Sequence, residues 1–161
     1  MKVIRTFSRW ALGLLLLWPF IDKLFGLGYT TEPGSAWIAG GSPTEGFLKF
    51  GATGPFAPVY NSIGGTAIVD WLFMLSLLFL GLALILGIGL KIAAIAGSLL
   101  MFLMWSAVLP KEHNFFLIDE HIVYLLLLLL IGFSFTREEQ WAGLGNWWRN
   151  TKLVKKAPFL E

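Results

Sequence analysis

Four apolar blocks of membrane-spanning length dominate this chain of 161 residues. They run approximately over Thr6–Leu27, Ala67–Leu86, Ile92–Leu109 and Leu117–Phe135. Each is close to the ~20 residues that an α-helix needs to cross a hydrocarbon layer of ~30 Å. Charged residues make up only 14% of the chain, whereas soluble domains average about 25%. The sequence therefore predicts an all-α fold, an integral membrane four-helix bundle.

The distribution of basic residues predicts how the bundle is oriented. Nine of the twelve Lys and Arg residues lie before or at the start of the first block, in the turn between the second and third blocks, or after the fourth block. The other three are Lys23, Lys49 and Lys111. Because Lys and Arg accumulate in cytoplasmic loops, we expect a multi-pass protein of a prokaryotic cytoplasmic membrane with both termini in the cytoplasm. The net charge of +2 is too small to indicate a nucleic-acid partner.

The chain divides into a transmembrane domain, residues 1–135, and a cytoplasmic interfacial tail, residues 136–161. Within the first domain, an outer segment of about residues 28–65 is rich in Gly and Pro but also in aromatic residues. Ser42, Pro43 and Glu45 have the pattern of a helix N-terminus with a capping box. We expect short interfacial helices in this segment, which form either a lid over the outer mouth of the bundle or an ordinary packed connector.

The tail and the third span carry two further patterns. Trp141, Trp147 and Trp148 alternate with basic residues, which is typical of an amphipathic anchor in contact with membrane lipid; a docking site for a cytoplasmic protein is the alternative. The short "GIGLK" connection predicts a tight antiparallel hairpin between the second and third spans. The small residues Gly89, Ala93 and Gly97 share one helical face, which favours close approach of another helix.

Titratable residues near the outer ends of the first and fourth spans are the candidate site. Asp119, Glu120 and His121 begin the fourth span, and counting from Arg9 at ~1.5 Å per residue places Asp22 roughly 10 Å inside the outer membrane edge. Charged groups at such depths normally face inward and are paired. Asp22 is a potential partner of His121. Lys23 is a potential partner of Asp119 or Glu120.

A structural explanation competes with the functional one at some of these positions. Asp119 has the residue type and place of a helix N-cap, but a cap does not account for His121 or for Asp22 and Lys23. Two histidines, His113 and His121, raise the question of haem or metal ligation. Their spacing matches no metal motif, and the chain has no cysteine, so no haem or metal site is expected.

Several segments carry a resemblance to a known family. They are "RWALGLLLLWPFIDKLFGLG", "WIAGGSPTEGFLKFGATGPFAPVY", "VDWLFMLSLLFLGLALILGIGLKIAA" and "NFFLIDEHIVYLLLLLL". Over almost its full length the chain resembles DoxX-family membrane proteins, including the DoxD-type subunit of thiosulfate:quinone oxidoreductase. The resemblance implies a prokaryotic four-helix membrane protein linked to redox or sulfur metabolism. It also implies a second subunit, because the DoxD-type subunit works with a smaller partner.

These observations lead to a functional hypothesis and a rival. The hypothesis is a subunit that passes electrons from a small anionic sulfur compound to quinone at an outer-side pocket. His121, Asp22, Lys23 and Glu120 are its candidate catalytic residues, and Asp119, Tyr124 and Trp71 are its candidate quinone-binding residues. The rival is a non-catalytic accessory or assembly subunit, either of a larger complex or of a homo-oligomer, in which the polar cluster only stabilises the bundle.

Overall fold

The computed structural model describes residues 2–109, 118–134 and 142–160. These residues form helices and loops, and the one bridge among them is an isolated parallel pairing of Thr53 with Val108. The α-helices are α1 (Lys2–Phe25), α2 (Ala57–Ile63), α3 (Ala67–Leu86), α4 (Leu90–Ala107), α5 (Glu120–Ser134), α6 (Gly145–Arg149) and α7 (Lys152–Lys156). Short 3₁₀ turns lie at Pro33–Ser35, Trp37–Ala39 and Pro158–Leu160, and a π-helical turn at Gly46–Gly51.

The all-helical prediction is confirmed, and the long helices agree closely with the apolar blocks. α3 has the predicted bounds, whereas α1 begins at Lys2 rather than Thr6 and α4 at Leu90 rather than Ile92. By length and composition, α3 and α4 are long and apolar enough to cross a membrane. α5 is a shorter apolar helix whose described part has 15 residues. A membrane bundle of four spans therefore remains a proposal.

The four long helices pack in antiparallel pairs, α1 against α3 and α4 against α5. Small residues make both contacts close. A Cβ atom added to Gly81 would lie 2.8 Å from the Cβ of Leu17 in α1, and one added to Gly132 would lie 2.3 Å from the Cβ of Ala94 in α4. Backbones can approach this closely only where side chains are absent or small.

The predicted hairpin is present, and the small-residue face is present in part, because Gly89 precedes α4 as its N-cap and does not belong to the helix. Gly87 ends α3 in the left-handed conformation, and α4 begins three residues later. Ala93 and Gly97 are buried, and a Cβ on Gly97 would lie 2.9 Å from the side chain of Leu128 in α5. Leucines from all four helices complete the core: Leu12, Leu16, Leu77, Leu80, Leu84, Leu90 and Leu128.

One end of the bundle, named the inner end because the sequence predicts that it faces the cytoplasm, contains the start of α1, the α3–α4 turn and the tail. Arg9 is only 2% exposed there, and its Nη2 donates a hydrogen bond of 2.6 Å to the carbonyl oxygen of Ala142. The backbone N–H of Leu144 donates to Leu86 at the end of α3. The tail residues therefore pack against the inner end of the bundle, next to α1 and the end of α3. Trp147 is exposed and Trp148 half-buried, while the predicted anchor residue Trp141 lies outside the described residues.

The outer end contains the end of α1, the start of α3, the end of α4 and the start of α5. The outer segment packs on this end of the bundle and contains the short helices that the sequence predicts. The backbone N–H of Thr53 donates to Ala107 at 2.8 Å, and Tyr60 Oη donates to Leu103 at 3.0 Å. These contacts attach the segment to the outer end of α4.

The predicted N-terminal cap of the short helical turn at Gly46–Gly51 is present in part. Ser42 Oγ accepts a hydrogen bond of 3.1 Å from the backbone N–H of Glu45. The Glu45 carboxylate forms an ion pair of 2.7 Å with Lys49, so it serves the next turn of the helix rather than a reciprocal capping box.

Candidate functional site

A buried carboxylate–imidazole pair lies at the start of α5. Asp119 Oδ2 is 2.9 Å from His121 Nδ1, and the two residues are 8% and 9% exposed. Asp119 Oδ1 accepts the backbone N–H groups of His121 at 3.0 Å and Ile122 at 3.3 Å. Asp119 is thus the N-cap of α5, as the structural explanation expects, and it also fixes the His121 ring.

This arrangement determines which ring nitrogen can react. An ionised carboxylate is only an acceptor, so Nδ1 carries the hydrogen in the bond to Asp119. His121 Nε2 makes no hydrogen bond with the described residues, and it can exchange a proton with a bound molecule. Tyr124, one turn further along α5, is half-buried against the core. Glu120 is exposed beside the pair.

The same three residues come close enough for metal ligation. One potential ligand atom from each of Asp119, Glu120 and His121 lies within 4.8 Å of the others. Three consecutive residues at a helix start are necessarily close, and both Asp119 oxygens are already engaged, Oδ1 by the N-cap and Oδ2 by the His121 ring. The cluster therefore carries no metal assignment. His113, the other histidine, lies outside the described residues.

Asp22 has a different set of partners from the one predicted. It is completely buried, and its Oδ1 accepts the backbone N–H of Tyr29 at 3.1 Å. Its Oδ2 accepts the backbone N–H of Thr30 at 2.9 Å and the Thr30 hydroxyl at 2.7 Å. The expected pair with His121 is not formed, because Asp22 fixes the turn that follows α1.

Lys23 is also without its predicted partners. Its side chain is half-buried, and it forms no ion pair with the described residues. Asp119 is engaged by His121 instead. Lys23 is thus a cation near the outer end of α1, with no carboxylate of the described residues bonded to it.

Trp71 lies in an open cleft between the outer segment and α3. The cleft has a volume of about 260 Å³ and is lined by Trp37, Gly40, Gly41, Ser42, Gly65, Ala67, Asp70 and Trp71. The two indole rings have centroids 4.6 Å apart and planes at 71°. No residue of α5 lines this cleft, so Trp71 belongs to a surface distinct from the Asp119–His121 pair.

Asp70 connects this cleft to the fold. It is 6% exposed, and its Oδ1 accepts hydrogen bonds from Ser42 Oγ at 2.9 Å and from the backbone and hydroxyl of Thr44. Asp70 is not among the candidate residues that the sequence analysis selects. The adjacent Asp70 and Trp71 in the first turn of an apolar helix are the signal that could have drawn attention to it.

Comparison with known proteins adds no relative. No protein-family model matches the sequence, and neither the curated proteins nor the solved structures include a match. The resemblance to DoxX-family proteins therefore remains a prediction from the sequence segments that carry it.

Proposed function

We propose that the chain is a DoxX-like membrane subunit that passes electrons from a small sulfur anion to quinone at its outer end. Its lipid-facing surface would be formed by α1, α3, α4 and α5, with both termini in the cytoplasm. Support for a membrane location comes from the exposed apolar side chains on all four helices. Leu14 on α1, Phe79 on α3, Ile95 on α4 and Leu126 on α5 are each about 60% exposed.

The small fraction of buried residues in α3 and α4 also supports a membrane location. Only 33% of the most apolar window of α3 and 39% of that of α4 are buried. The core helix of a soluble protein would bury most of such a window. Exposed apolar surfaces of this extent mark contact with a partner or a membrane, and hydrocarbon is the surrounding that fits helices covered with Leu, Ile and Phe.

The observation that carries the redox proposal is the buried Asp119–His121 pair. A quinone that accepts two electrons also takes up two protons, and it needs a proton donor beside its carbonyl oxygen. His121, oriented through Nδ1 by Asp119, offers Nε2 for that exchange, and Tyr124 offers a hydroxyl one turn away. General acid–base groups of this kind contribute about 10²–10⁴-fold to a rate.

Lys23 supplies the second element of the proposal. A small sulfur anion such as thiosulfate needs a cation close to the place where it is oxidised, and the Lys23 ammonium has no carboxylate bonded to it among the described residues. Two thiosulfate anions that form a new S–S bond release two electrons, which reduce one quinone. The two protons that complete the quinol come from solvent through His121.

Reconstituted protein, together with any subunit that co-purifies, provides the test. Quinone reduction is followed with thiosulfate, sulfite or sulfide as donor. We expect His121→Gln to lower the rate at saturating donor by ~10²-fold or more, and Lys23→Met to raise the donor concentration needed for half-maximal rate. Asp119→Asn keeps an N-cap residue, so it separates the orientation of His121 from folding. Unchanged rates in all three variants would contradict the proposal.

A non-catalytic accessory subunit is the second candidate, and a specific observation favours it. Asp22 and Asp70, two of the buried carboxylates at the outer end, have their hydrogen bonds with the loops that they hold in place. If His121 and Lys23 serve only stability, their substitution lowers protein level and partner association while the surviving complex keeps its turnover. Affinity purification in mild detergent, with turnover measured per complex, distinguishes the two functions.

A further inference from the structure

The cleft of Trp37, Asp70 and Trp71 has the composition of a binding site for an organic cation. We propose that it binds an ammonium group, the shared chemistry of small free amines and of choline or ethanolamine lipid headgroups. The proposal does not depend on the redox function, since the described residues that line the cleft lie within 37–42 and 65–71 and do not include the Asp119–His121 pair.

The first argument is the unequal use of the two Asp70 oxygens. Oδ1 accepts all of the hydrogen bonds that Asp70 makes with the described residues, from Ser42 and Thr44. Holding that loop needs one acceptor oxygen, which an asparagine would also provide. Oδ2 accepts no hydrogen bond from the described residues, and none of their cations forms an ion pair with Asp70. A cationic ligand in the cleft would supply that ion pair.

The second argument is the arrangement of the aromatic rings. Trp37 and Trp71 both line the cleft, and their rings contact each other edge to face, with centroids 4.6 Å apart and planes at 71°. An ammonium group is attracted to an indole face within ~6 Å of the ring centroid, and Trp is the strongest of the aromatic side chains in this respect. Trp71 is 56% exposed although it is large and apolar, so its ring is accessible.

The third argument is size and charge. The volume of about 260 Å³ is below the roughly 300–1,000 Å³ typical of drug-sized ligands, which suits a small headgroup. Among the described residues that line the cleft there is no Lys or Arg. A single carboxylate in a cleft that two indole rings also line fits a weakly hydrated organic cation better than a metal ion, which needs several oxygen ligands.

Calorimetric titration of the detergent-purified full chain tests the proposal with tetramethylammonium and ethanolamine as probes. We expect binding to wild type, a loss of roughly tenfold or more in affinity for Asp70→Asn, and a loss of roughly 3- to 30-fold for Trp71→Leu. Asp70→Asn retains the acceptor for Ser42 and Thr44, so its fold is expected to be intact. Trp147→Leu removes an exposed indole of the tail and serves as the matched control.

A second arm identifies the source of the ammonium group. Native mass spectrometry of protein from nanodiscs counts retained phosphatidylethanolamine and phosphatidylcholine against phosphatidylglycerol. If the ammonium lipids are retained in preference to phosphatidylglycerol and this preference is lost in Asp70→Asn, the ligand is a lipid headgroup. If the probes bind in the calorimetric titration but no lipid is preferred, the ligand is a free amine. Binding that is equal in wild type and Asp70→Asn, or no ammonium binding in either arm, would overturn the proposal.

Discussion

Gly13 of α1 and Gly81 of α3 face each other without a side chain between their backbones. A Cβ atom built on either residue would lie 3.1 Å from the carbonyl oxygen of the other. The α1–α3 contact therefore depends on the absence of both side chains, and any larger residue must move one helix away from the other.

We predict that Gly81→Leu destabilises the bundle by about 1–3 kcal/mol, the usual cost of overpacking a close contact. Ala11→Leu is the matched control, because Ala11 is exposed on α1. Thermal unfolding in one detergent, followed by circular dichroism, compares the two variants. Equal unfolding temperatures would show that the glycines do not determine helix approach.

Arg9 holds the tail against the inner end of the bundle. Its Nη2 donates to Ala142, and Gly87 leaves room for its guanidinium, since a Cβ there would lie 2.1 Å from Nη1. We predict that Arg9→Met releases the tail and that trypsin then cuts at Lys152 and Lys155 several times faster. Lys2→Met, at an exposed position of α1, is the control. The attachment is refuted by equal cleavage rates in the two variants.

Asp22 is predicted to act in folding of the outer segment rather than in chemistry. Asp22→Asn replaces one acceptor oxygen by a donor that faces the Thr30 N–H and hydroxyl, so we expect a loss of ~1–3 kcal/mol. Hydrogen exchange at the Tyr29 and Thr30 amides should rise with it. Thr30→Val removes only the hydroxyl bond of 2.7 Å, so a smaller effect is expected. Unaltered exchange together with lost quinone reduction would assign Asp22 to the reaction instead.

The proposed topology has a direct test because the chain contains no cysteine. Ser35→Cys places a thiol at an exposed position of the outer segment, and Lys152→Cys places one at an exposed position of the tail. A membrane-impermeant maleimide applied to intact cells should label the first and label the second only after lysis. The reverse pattern, or labelling of both in intact cells, is incompatible with cytoplasmic termini.

The helices could be predicted because the residues that begin and end each helix lie next to its apolar run in the sequence. α3 follows Gly65 and Thr66 and is capped by Gly87, so the limits of its apolar run coincide with the observed bounds. The N-cap at Asp119 and the bond from Glu45 to Ser42 are equally local, since each joins residues no more than three apart. Local patterns of this kind depend on helix geometry alone.

The partners of the buried charges could not be predicted in the same way. The pairing of Asp22 with His121 assumed that both helices turn these side chains toward each other, but sequence does not determine helix rotation. The turn after α1 instead brings Tyr29 and Thr30 back to Asp22. The contact of Trp37 with Trp71 likewise depends on how the outer segment folds over α3, which no periodicity reveals.

The quinone content of the purified protein tests the central proposal most directly. Lipid-soluble compounds are extracted from wild type, His121→Gln and Lys23→Met, each purified from native membranes in the same mild detergent. If His121 is the residue that meets the quinone and Lys23 the residue that meets the sulfur anion, wild type and Lys23→Met retain quinone and His121→Gln loses most of it. Absence of quinone from wild type, or equal amounts in wild type and His121→Gln, would contradict the account.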